Sequence, residues 1–267
     1  MLREPAVAGR FYPADPEILR HDLRSYLSPS SERTPAIACM VPHAGYMYSG
    51  AVAGAVFSKV IVPSRCIILC PNHTGRGHPL SLMKQGGWRT PLGDLKIDQP
   101  LAEVLLREFP ALTDDSDAHR FEHAIEVELP FLRVIKPDVV FVPIAIGTSR
   151  LILLQELGEA VARVIQQTLE DTLIIASSDM NHYEDDATTR VKDQKAIEKI
   201  LELDAAGLYE TVIKESISMC GFGPAVAMLT AATRLGAERA ELVQYTTSAD
   251  ASGDRETVVG YAGIIVT

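Results

Sequence analysis

The chain alternates short apolar, β-branched runs with longer segments of helical period, and this alternation constrains its fold more than any other feature. Several runs are apolar on both faces, as in strands buried between two layers. The predicted strands are Ala36–Val41, Cys66–Leu69, Val139–Ile146, Thr172–Ser177, Leu242–Thr246 and Thr257–Val266. The predicted helices are Gly50–Val60, Phe121–Ile135, Leu151–Leu169, Thr189–Leu201, Ala205–Lys214 and Ala225–Leu235. Strands joined by helices predict an α/β fold with a largely parallel central sheet flanked by helices.

One segment, Leu80–Asp98, does not follow the alternation. Its turn signals, Gly86-Gly87 and Pro91–Asp94, predict an inserted antiparallel hairpin. No Pro/Gly/Ser-rich linker and no repeat of fixed period interrupts the chain. We therefore expect residues 1–267 to form a single domain.

Composition excludes several classes of protein. Hydrophobic residues make up 47% of the chain, which is too many for intrinsic disorder. The formal net charge is −10 and no Lys/Arg cluster is present, which argues against a nucleic-acid binder. The longest uncharged stretch, Thr34–Ser58, is broken by prolines and glycines and does not predict a membrane span. With only 4 cysteines and no signal-peptide pattern, we expect a reducing, cytoplasmic location.

Polar side chains follow three of the predicted strands at the point where each strand ends. His43 and His73 each come shortly after an apolar run closed by a proline, and Asp179 and His182 follow Ser177. A single strand-end histidine is usually a hydrogen-bonded structural residue. The carboxyl ends of parallel strands meet at one crevice, however, so the repeated pattern favours a shared metal or catalytic site.

Cys220 is the candidate thiol. It lies just before a predicted helix in which Pro224 is expected as the first residue. The positive end of the helix dipole would lower the pKa of the thiol and favour the thiolate, which is the form that binds metals. Cys70 lies three residues before His73 and fits either the core or the site.

The segment from His119 to Glu126 permits two interpretations. His119 and His123 with Glu122 match the H-x-x-E-H pattern, which would suggest a zinc hydrolase. Alternatively, Glu122, His123 and Glu126 share one helix face that points at the crevice, with the glutamates as hydrogen-bond acceptors or proton carriers. The two glutamates could also form a surface pair. No phosphate-binding loop or dinucleotide fingerprint occurs in the chain.

In chain order, these motifs resemble those of the MEMO family. The matching segments are Ala8–Pro13, Pro42–Tyr46, Pro71–His73, Arg89–Asp98, Glu122–Glu126, Ser177–His182 and Cys220–Pro224. The resemblance covers nearly the whole chain and implies a fold similar to the class III, LigB-type extradiol dioxygenases. Archaeal and bacterial members belong to the AmmeMemoRadiSam system, so the resemblance also implies a radical-SAM protein as partner.

The resemblance implies three metal ligands and three catalytic residues in one pocket. The ligands would be His43, His73 and Cys220, and the catalytic residues would be His182, Asp179 and His123. The dioxygenases hold Fe(II) with two histidines and a carboxylate, whereas Cys220 replaces the carboxylate here. We therefore expect Fe(II), with copper or zinc as alternatives, and extradiol ring cleavage does not follow from the resemblance.

Two functions are consistent with these features. The first is a metal-dependent, dioxygenase-like oxidoreductase that acts on an unidentified small molecule, with His182 and Asp179 relaying protons. The second is a non-catalytic module on the same scaffold that binds a peptide or the radical-SAM partner. Loss of the dioxygenase carboxylate favours the second function, and convergence of the strand-end ligands favours the first.

Overall fold

The computed structural model describes residues 1–28, 33–168 and 170–267. The strands are β1 (Leu2–Arg3), β2 (Ala38–Val41), β3 (Arg65–Pro71), β4 (Leu80–Leu82), β5 (Gly87–Thr90), β6 (Gly93–Ile97), β7 (Thr113–Asp114), β8 (Val140–Ile146), β9 (Thr172–Ser177), β10 (His182–Glu184), β11 (Ala240–Thr247) and β12 (Val258–Val266). The helices are α1 (Pro16–Tyr26), α2 (Tyr46–Lys59), α3 (Gln99–Glu108), α4 (Leu129–Ile135), α5 (Leu151–Thr168), α6 (Asp186–Leu201), α7 (Ala205–Lys214), α8 (Phe222–Arg234) and α9 (Ala249–Ser252). Leu169, the predicted last residue of α5, lies outside the described residues.

All these strands join one sheet, which confirms the predicted mixed α/β architecture. The strand order is β1-β5-β6-β8-β3-β9-β2-β12-β10, with β11 paired to β12 and with β4 linking β7 to β8. The central strands β8, β3, β9 and β2 are parallel to one another. Antiparallel pairs occur towards the margins, where β12 pairs with β2, β10 and β11. The sheet thus contains strands from both ends of the chain.

Successive residues of the central strands pack into opposite layers. In β3, Ile67 and Leu69 belong to one core cluster, and Ile68 and Cys70 belong to the other. A strand alternates its side chains between the two faces of a sheet, so a run that is apolar throughout is buried on both sides. The layer on one face comes from α3 and α5 to α8, and the layer on the other comes from α1, α2 and α4.

The predicted hairpin is present, with a difference in its first strand. Strands β5 and β6 are antiparallel, with Gly87 opposite Lys96 and Thr90 opposite Gly93. The turn requires a φ of +114° at Gly93, which glycine adopts without steric cost. The preceding strand β4 pairs with β8 and β7 instead of with the hairpin.

The predicted helix Phe121–Ile135 is wrong in its first half. The chain is irregular there, and a short 3₁₀ turn precedes α4. The cause is a distant side chain, because the Arg3 guanidinium donates to the backbone carbonyls of His119 and Glu122. The Glu122 carbonyl is the one that the N–H of Glu126 would need in the predicted helix.

Three other helices begin earlier than predicted. Helix α2 begins at Tyr46 instead of Gly50, α6 begins at Asp186 instead of Thr189, and α8 begins at Phe222 instead of Ala225. Pro224 is therefore the third residue of α8, not the first. The first turn of a helix has no internal partner for its N–H groups, so a proline is tolerated there.

Helices α1 and α3 were not predicted, although the chain carries their start signals. Each has an aspartate N-cap, Asp15 and Asp98, whose side chain accepts backbone N–H groups of the first turn. A proline stands at one of the first two helical positions in both. An aspartate followed by a proline is a typical helix start.

The uncharged stretch Thr34–Ser58 folds as strand β2, a connecting loop and most of helix α2. In the described ranges, no helix combines the length and the apolar character that crossing a bilayer requires.

Candidate metal centre

The strand-end residues converge as expected from the order of the parallel strands. His43 follows β2 by two residues and His73 follows β3 by two, while Asp179 follows β9, the strand that lies between them. The three strands run in the same direction, so their carboxyl ends deliver these side chains to one crevice.

Three histidines meet in this crevice. His43, His73 and His123 each offer one ring nitrogen, and these nitrogens lie within 4.8 Å of one another. The ring centroids are 5.1 Å apart for His43 and His73, 5.4 Å for His43 and His123, and 4.7 Å for His73 and His123. Histidine is the commonest protein ligand for transition metals, so this cluster is the best candidate for a metal centre among the described residues.

The hydrogen bonds of His43 fix which of its ring nitrogens is free. Its Nδ1 lies 2.8 Å from the Ser177 Oγ, and that hydroxyl donates to the backbone carbonyl of Ala124 at 2.7 Å. Ser177 has only one proton to donate, so His43 Nδ1 carries the other proton and Nε2 carries the lone pair. Burial lowers the pKa of His43 to about 3, which keeps the ring neutral, as a metal ligand must be.

Glu122 orients His73 in the same way. The Glu122 Oε1 lies 2.9 Å from His73 Nδ1, and Glu122 also accepts the backbone N–H groups of His73, His123 and Ala124. Burial is the largest single influence on the pKa of Glu122 and raises it, but the hydrogen bond and charge of His73, the charge of His123 and the Ala124 backbone bond together outweigh burial and lower the pKa to about 2. For His73, burial is again the largest influence and lowers the pKa, but the hydrogen bond and charge of Glu122 and the charge of Asp179 together outweigh it, so that the pKa is raised. His73 Nε2 is therefore left free to face the crevice.

His123 belongs to the same cluster, since one of its ring nitrogens lies within 4.8 Å of those of His43 and His73. Its ring stacks on His73 with an interplanar angle of 24°, and the edge of Phe11 packs on it at 4.9 Å. Burial and the neighbouring His43 lower its pKa to about 4. The resemblance implies a catalytic role for His123, and the structure also places one of its ring nitrogens where it could bind a metal.

Cys220 lies next to the cluster, but its thiol does not behave as predicted. Its Sγ is 3.2 Å from His43 Nε2 and 3.7 Å from the Asp179 carbonyl. The prediction of a lowered pKa is wrong, because burial, and after it the charge of Asp179, raise the pKa well above the ordinary thiol value. These two influences on the thiol pKa exceed the lowering that the backbone N–H of Gly221, at the start of α8, provides.

Asp179 and His182 line the same crevice. The Asp179 Oδ1 accepts the backbone N–H of His43 at 2.7 Å, and burial raises the pKa of this carboxyl. The His182 Nδ1 lies 2.9 Å from the Ser218 carbonyl, which can only accept, so Nδ1 carries the proton and Nε2 the lone pair. The crevice thus contains a proton acceptor and a carboxyl group beside the histidine cluster.

Glu128 is a site residue that the sequence did not reveal. It is buried, its Oε1 lies 3.4 Å from the Ser177 Oγ, and its Oε2 has no hydrogen-bond partner in the described part of the chain. Burial, and then the charge of Asp179, raise its pKa well above the ordinary carboxyl value. A neutral acid therefore lies behind His43.

Glu126 points away from the crevice, so the predicted shared face with Glu122 and His123 is wrong. Its carboxylate forms an ion pair with Arg3 at 2.7 Å and accepts the hydroxyl proton of Tyr12 at 2.8 Å. The irregular backbone before α4 turns the two glutamates in different directions.

The H-x-x-E-H interpretation is also wrong, because its two histidines do not share a helix. The His119 ring is fully buried against Trp88, at 5.7 Å between centroids, and is not part of the histidine cluster. Cys70 is buried in the core, and burial raises the pKa of its thiol.

Together, the fold and the site define an α/β protein with a histidine-lined crevice at the carboxyl ends of its parallel strands. The Memo-like protein family model matches residues 3–265. A MEMO1 family protein of Methanopyrus kandleri is 43% identical over 99% of each chain. One from Pyrobaculum arsenaticum is 42% identical over 99% of this chain and 98% of that one. The chain belongs to the MEMO family.

A solved structure shares the fold at much lower sequence similarity. An uncharacterized protein from Escherichia coli K12 aligns with a TM-score of 0.54 and 14% identity. The match covers 85% of this chain and 98% of that chain.

Proposed function

We propose that the crevice is a metal centre and that the protein is a metal-dependent oxidoreductase. In this proposal His43, His73 and Cys220 hold the metal, and His123 lies beside them as a catalytic residue or a fourth ligand. The observation that carries the proposal is the convergence of ring nitrogens within 4.8 Å, two of them freed by hydrogen bonds on the opposite side of the ring.

The donor set fits a transition metal. Burial keeps His43 and His123 neutral, and the hydrogen bonds of Ser177 and Glu122 hold the rings that bear the free nitrogens. Such outer partners typically orient metal-bound histidines. Imidazole suits iron, copper and zinc, and a thiolate adds preference for the softer ions. We place Fe(II) first, with copper and zinc as alternatives.

The thiol of Cys220 gives a specific reason for a cation. Half-buried beside Asp179, the thiol has a raised pKa and stays protonated on its own, and a thiol bound to a metal loses its proton. The crevice therefore gains its full set of ligands only when a cation is present.

The surrounding residues would manage protons and substrate. A bound iron or copper ion would supply one-electron chemistry. His182 presents an unprotonated nitrogen that can accept a proton from substrate, and Asp179 holds the His43 backbone in place. The substrate would be an unidentified small molecule or peptide that reaches the crevice between His182 and the partly exposed His73.

Elemental analysis of protein purified without oxygen or added metal tests the metal centre. We expect about one equivalent of iron or copper in the parent and much less in Cys220→Ser. His78→Ala is the matched control, because His78 is exposed and lies outside the cluster, and it should keep the metal. A parent protein without metal, also after Fe(II) is added, overturns the proposal.

Oxygen uptake separates the oxidoreductase from its alternative. We expect uptake that depends on added Fe(II) and is lost in His182→Gln. A metal-loaded protein that consumes no oxygen, and a His182→Gln variant that still binds a radical-SAM protein or a peptide, would favour the binding module.

A further inference from the structure

Arg3 lies outside the crevice, yet its buried side chain contacts the segment that carries two crevice residues. Its Nε donates to the carbonyl of His119 at 2.6 Å and its Nη2 donates to the carbonyl of Glu122 at 2.6 Å. Its Nη1 pairs with Glu126 at 2.7 Å, and the guanidinium lies 4.1 Å over the Trp88 ring. The side chain is only 5% exposed.

The segment that Arg3 contacts lacks regular structure of its own. It is neither helix nor strand between His119 and Ile125. Helical hydrogen bonds would normally fix such a segment, but the guanidinium occupies two of its carbonyls instead. Arg3 therefore supplies restraints that the local backbone does not.

These restraints lead directly to the metal centre. Arg3 holds the backbone of Glu122, the Glu122 carboxylate holds His73 Nδ1, and His123 is the next residue in the chain. Displacement of this segment would therefore move one histidine ring directly and release another from its acceptor.

The N-terminal segment approaches the same histidine from a second point. The Phe11 edge packs on the His123 ring at 4.9 Å, and the Phe11 carbonyl accepts the backbone N–H of Tyr46 at 2.8 Å. Glu126 accepts the N–H groups of Ala6 and Val7, so it ties the chain between Arg3 and Phe11 to the same segment.

We propose that Arg3 is a positioning residue of the metal centre, which holds Glu122 and His123 in the geometry that metal binding needs. The inference rests on the proposed function, since the geometry matters only if the crevice binds a metal. Lysine cannot replace the arginine, because one ammonium group cannot span two carbonyls and a carboxylate in a fixed fork.

Arg3→Lys, with Arg65→Lys as matched control, tests this role. Arg65 is also largely buried and paired, with Nε 2.5 Å from the Asp98 Oδ2, but it begins β3, whereas His73 follows the other end of that strand. We expect Arg3→Lys to weaken Fe(II) affinity about 10- to 100-fold and Arg65→Lys to leave it unchanged. Both variants should lose some thermal stability, so stability alone does not distinguish them.

A metal-free readout separates this inference from the proposed function. The His73 Nδ1–H that bonds Glu122 should give a low-field proton resonance in the NMR spectrum of the metal-free parent. We expect it to shift or vanish in Arg3→Lys and to persist in Arg65→Lys. If it persists unchanged in folded Arg3→Lys, or if both variants lose it and lose metal affinity equally, the positioning role is wrong. If the parent shows the resonance but binds no metal, the proposed function fails and the resonance in Arg3→Lys still decides whether Arg3 holds Glu122.

Discussion

The irregular segment between His119 and Glu126 separates two polar clusters of opposite character, one fully buried and one partly open to solvent. On one side, Arg3 and Glu126 are oppositely charged and have protein partners for the donors and acceptors that they present. On the other side, His43 and His123 are neutral and their ring nitrogens face one another. Buried polar groups are nearly always partnered, which the first cluster achieves within the protein, and we propose that a metal partners the free nitrogens of the second. The first cluster is closed to solvent, whereas the second is open to solvent at His73, as a binding site requires.

Glu126→Ala should give the largest effect on stability. The variant leaves the Arg3 charge buried without its partner, which typically costs about 3–5 kcal/mol. Urea denaturation of the metal-free protein measures the loss, and Glu126→Gln, which keeps the acceptor oxygen, should lose less. A loss below about 1 kcal/mol would mean that the first cluster is not structural.

Asp193 is a buried carboxyl group that differs from Glu126, because it has hydrogen-bond partners but, among the described residues, no buried cation that would stabilise its ionised form. Its carboxylate oxygens accept hydrogen bonds from the Tyr245 hydroxyl and the Asn181 backbone N–H, yet burial raises its pKa to about 7. A folded pKa above the unfolded one gives stability that is full below about pH 4 and is lost as the pH rises through about 7. Asp193→Asn should therefore lack about 4 kcal/mol of the decline in stability that the parent shows between about pH 4 and pH 8.

Unfolding free energies of parent and Asp193→Asn across this pH range test the linkage, since the other titrating groups cancel in the difference. Parallel stability curves for the two proteins would contradict it.

His43→Ala should give the reverse of the Glu126 result. We expect metal affinity to fall by about 100-fold or more, because a ligand is lost and not only its orienting partner. The metal-free variant should lose less stability than Glu126→Ala, because it removes a neutral ring with its Ser177 and Cys220 contacts and leaves no buried charge unpaired. Calorimetric titration with Fe(II), with His78→Ala as control, measures the affinity. Retained affinity would remove His43 from the site.

Glu122→Gln should give the smallest change. The glutamine amide keeps an acceptor oxygen for His73 but loses the negative charge that favours a proton on His73 Nδ1. Metal affinity should therefore fall about 10-fold. The same titration measures it. An unchanged affinity would show that the carboxylate serves only the local backbone.

The strand-end residues could be predicted because their signals are local. An apolar run closed by a proline comes before both His43 and His73, and the parallel order of the strands then brings the two histidines together. The segment around His123 could not be predicted, since its helical period is real but is overridden by Arg3, which lies far away in sequence. The prediction of a lowered pKa for Cys220 was wrong for a similar reason, because the tertiary fold decides how far the thiol is removed from solvent and that it lies beside Asp179.

Glu126 and Glu128 show the same limit at closer range. They are two residues apart in one apolar stretch, and both are buried. Glu126 faces Arg3, whereas Glu128 faces Ser177 behind the histidine cluster. Only the 3₁₀ turn that holds them decides which glutamate belongs to which cluster.

We propose above all that the crevice binds a metal through His43, His73 and Cys220. X-ray absorption of the iron- or copper-loaded protein, beside Cys220→Ser, tests it most directly. We predict a nitrogen shell in both proteins and a sulfur shell at about 2.3 Å in the parent alone, as for thiolate-bound zinc. A nitrogen- and oxygen-only spectrum in the parent would remove Cys220 from the ligand set, and a parent that takes up no metal would contradict the claim itself.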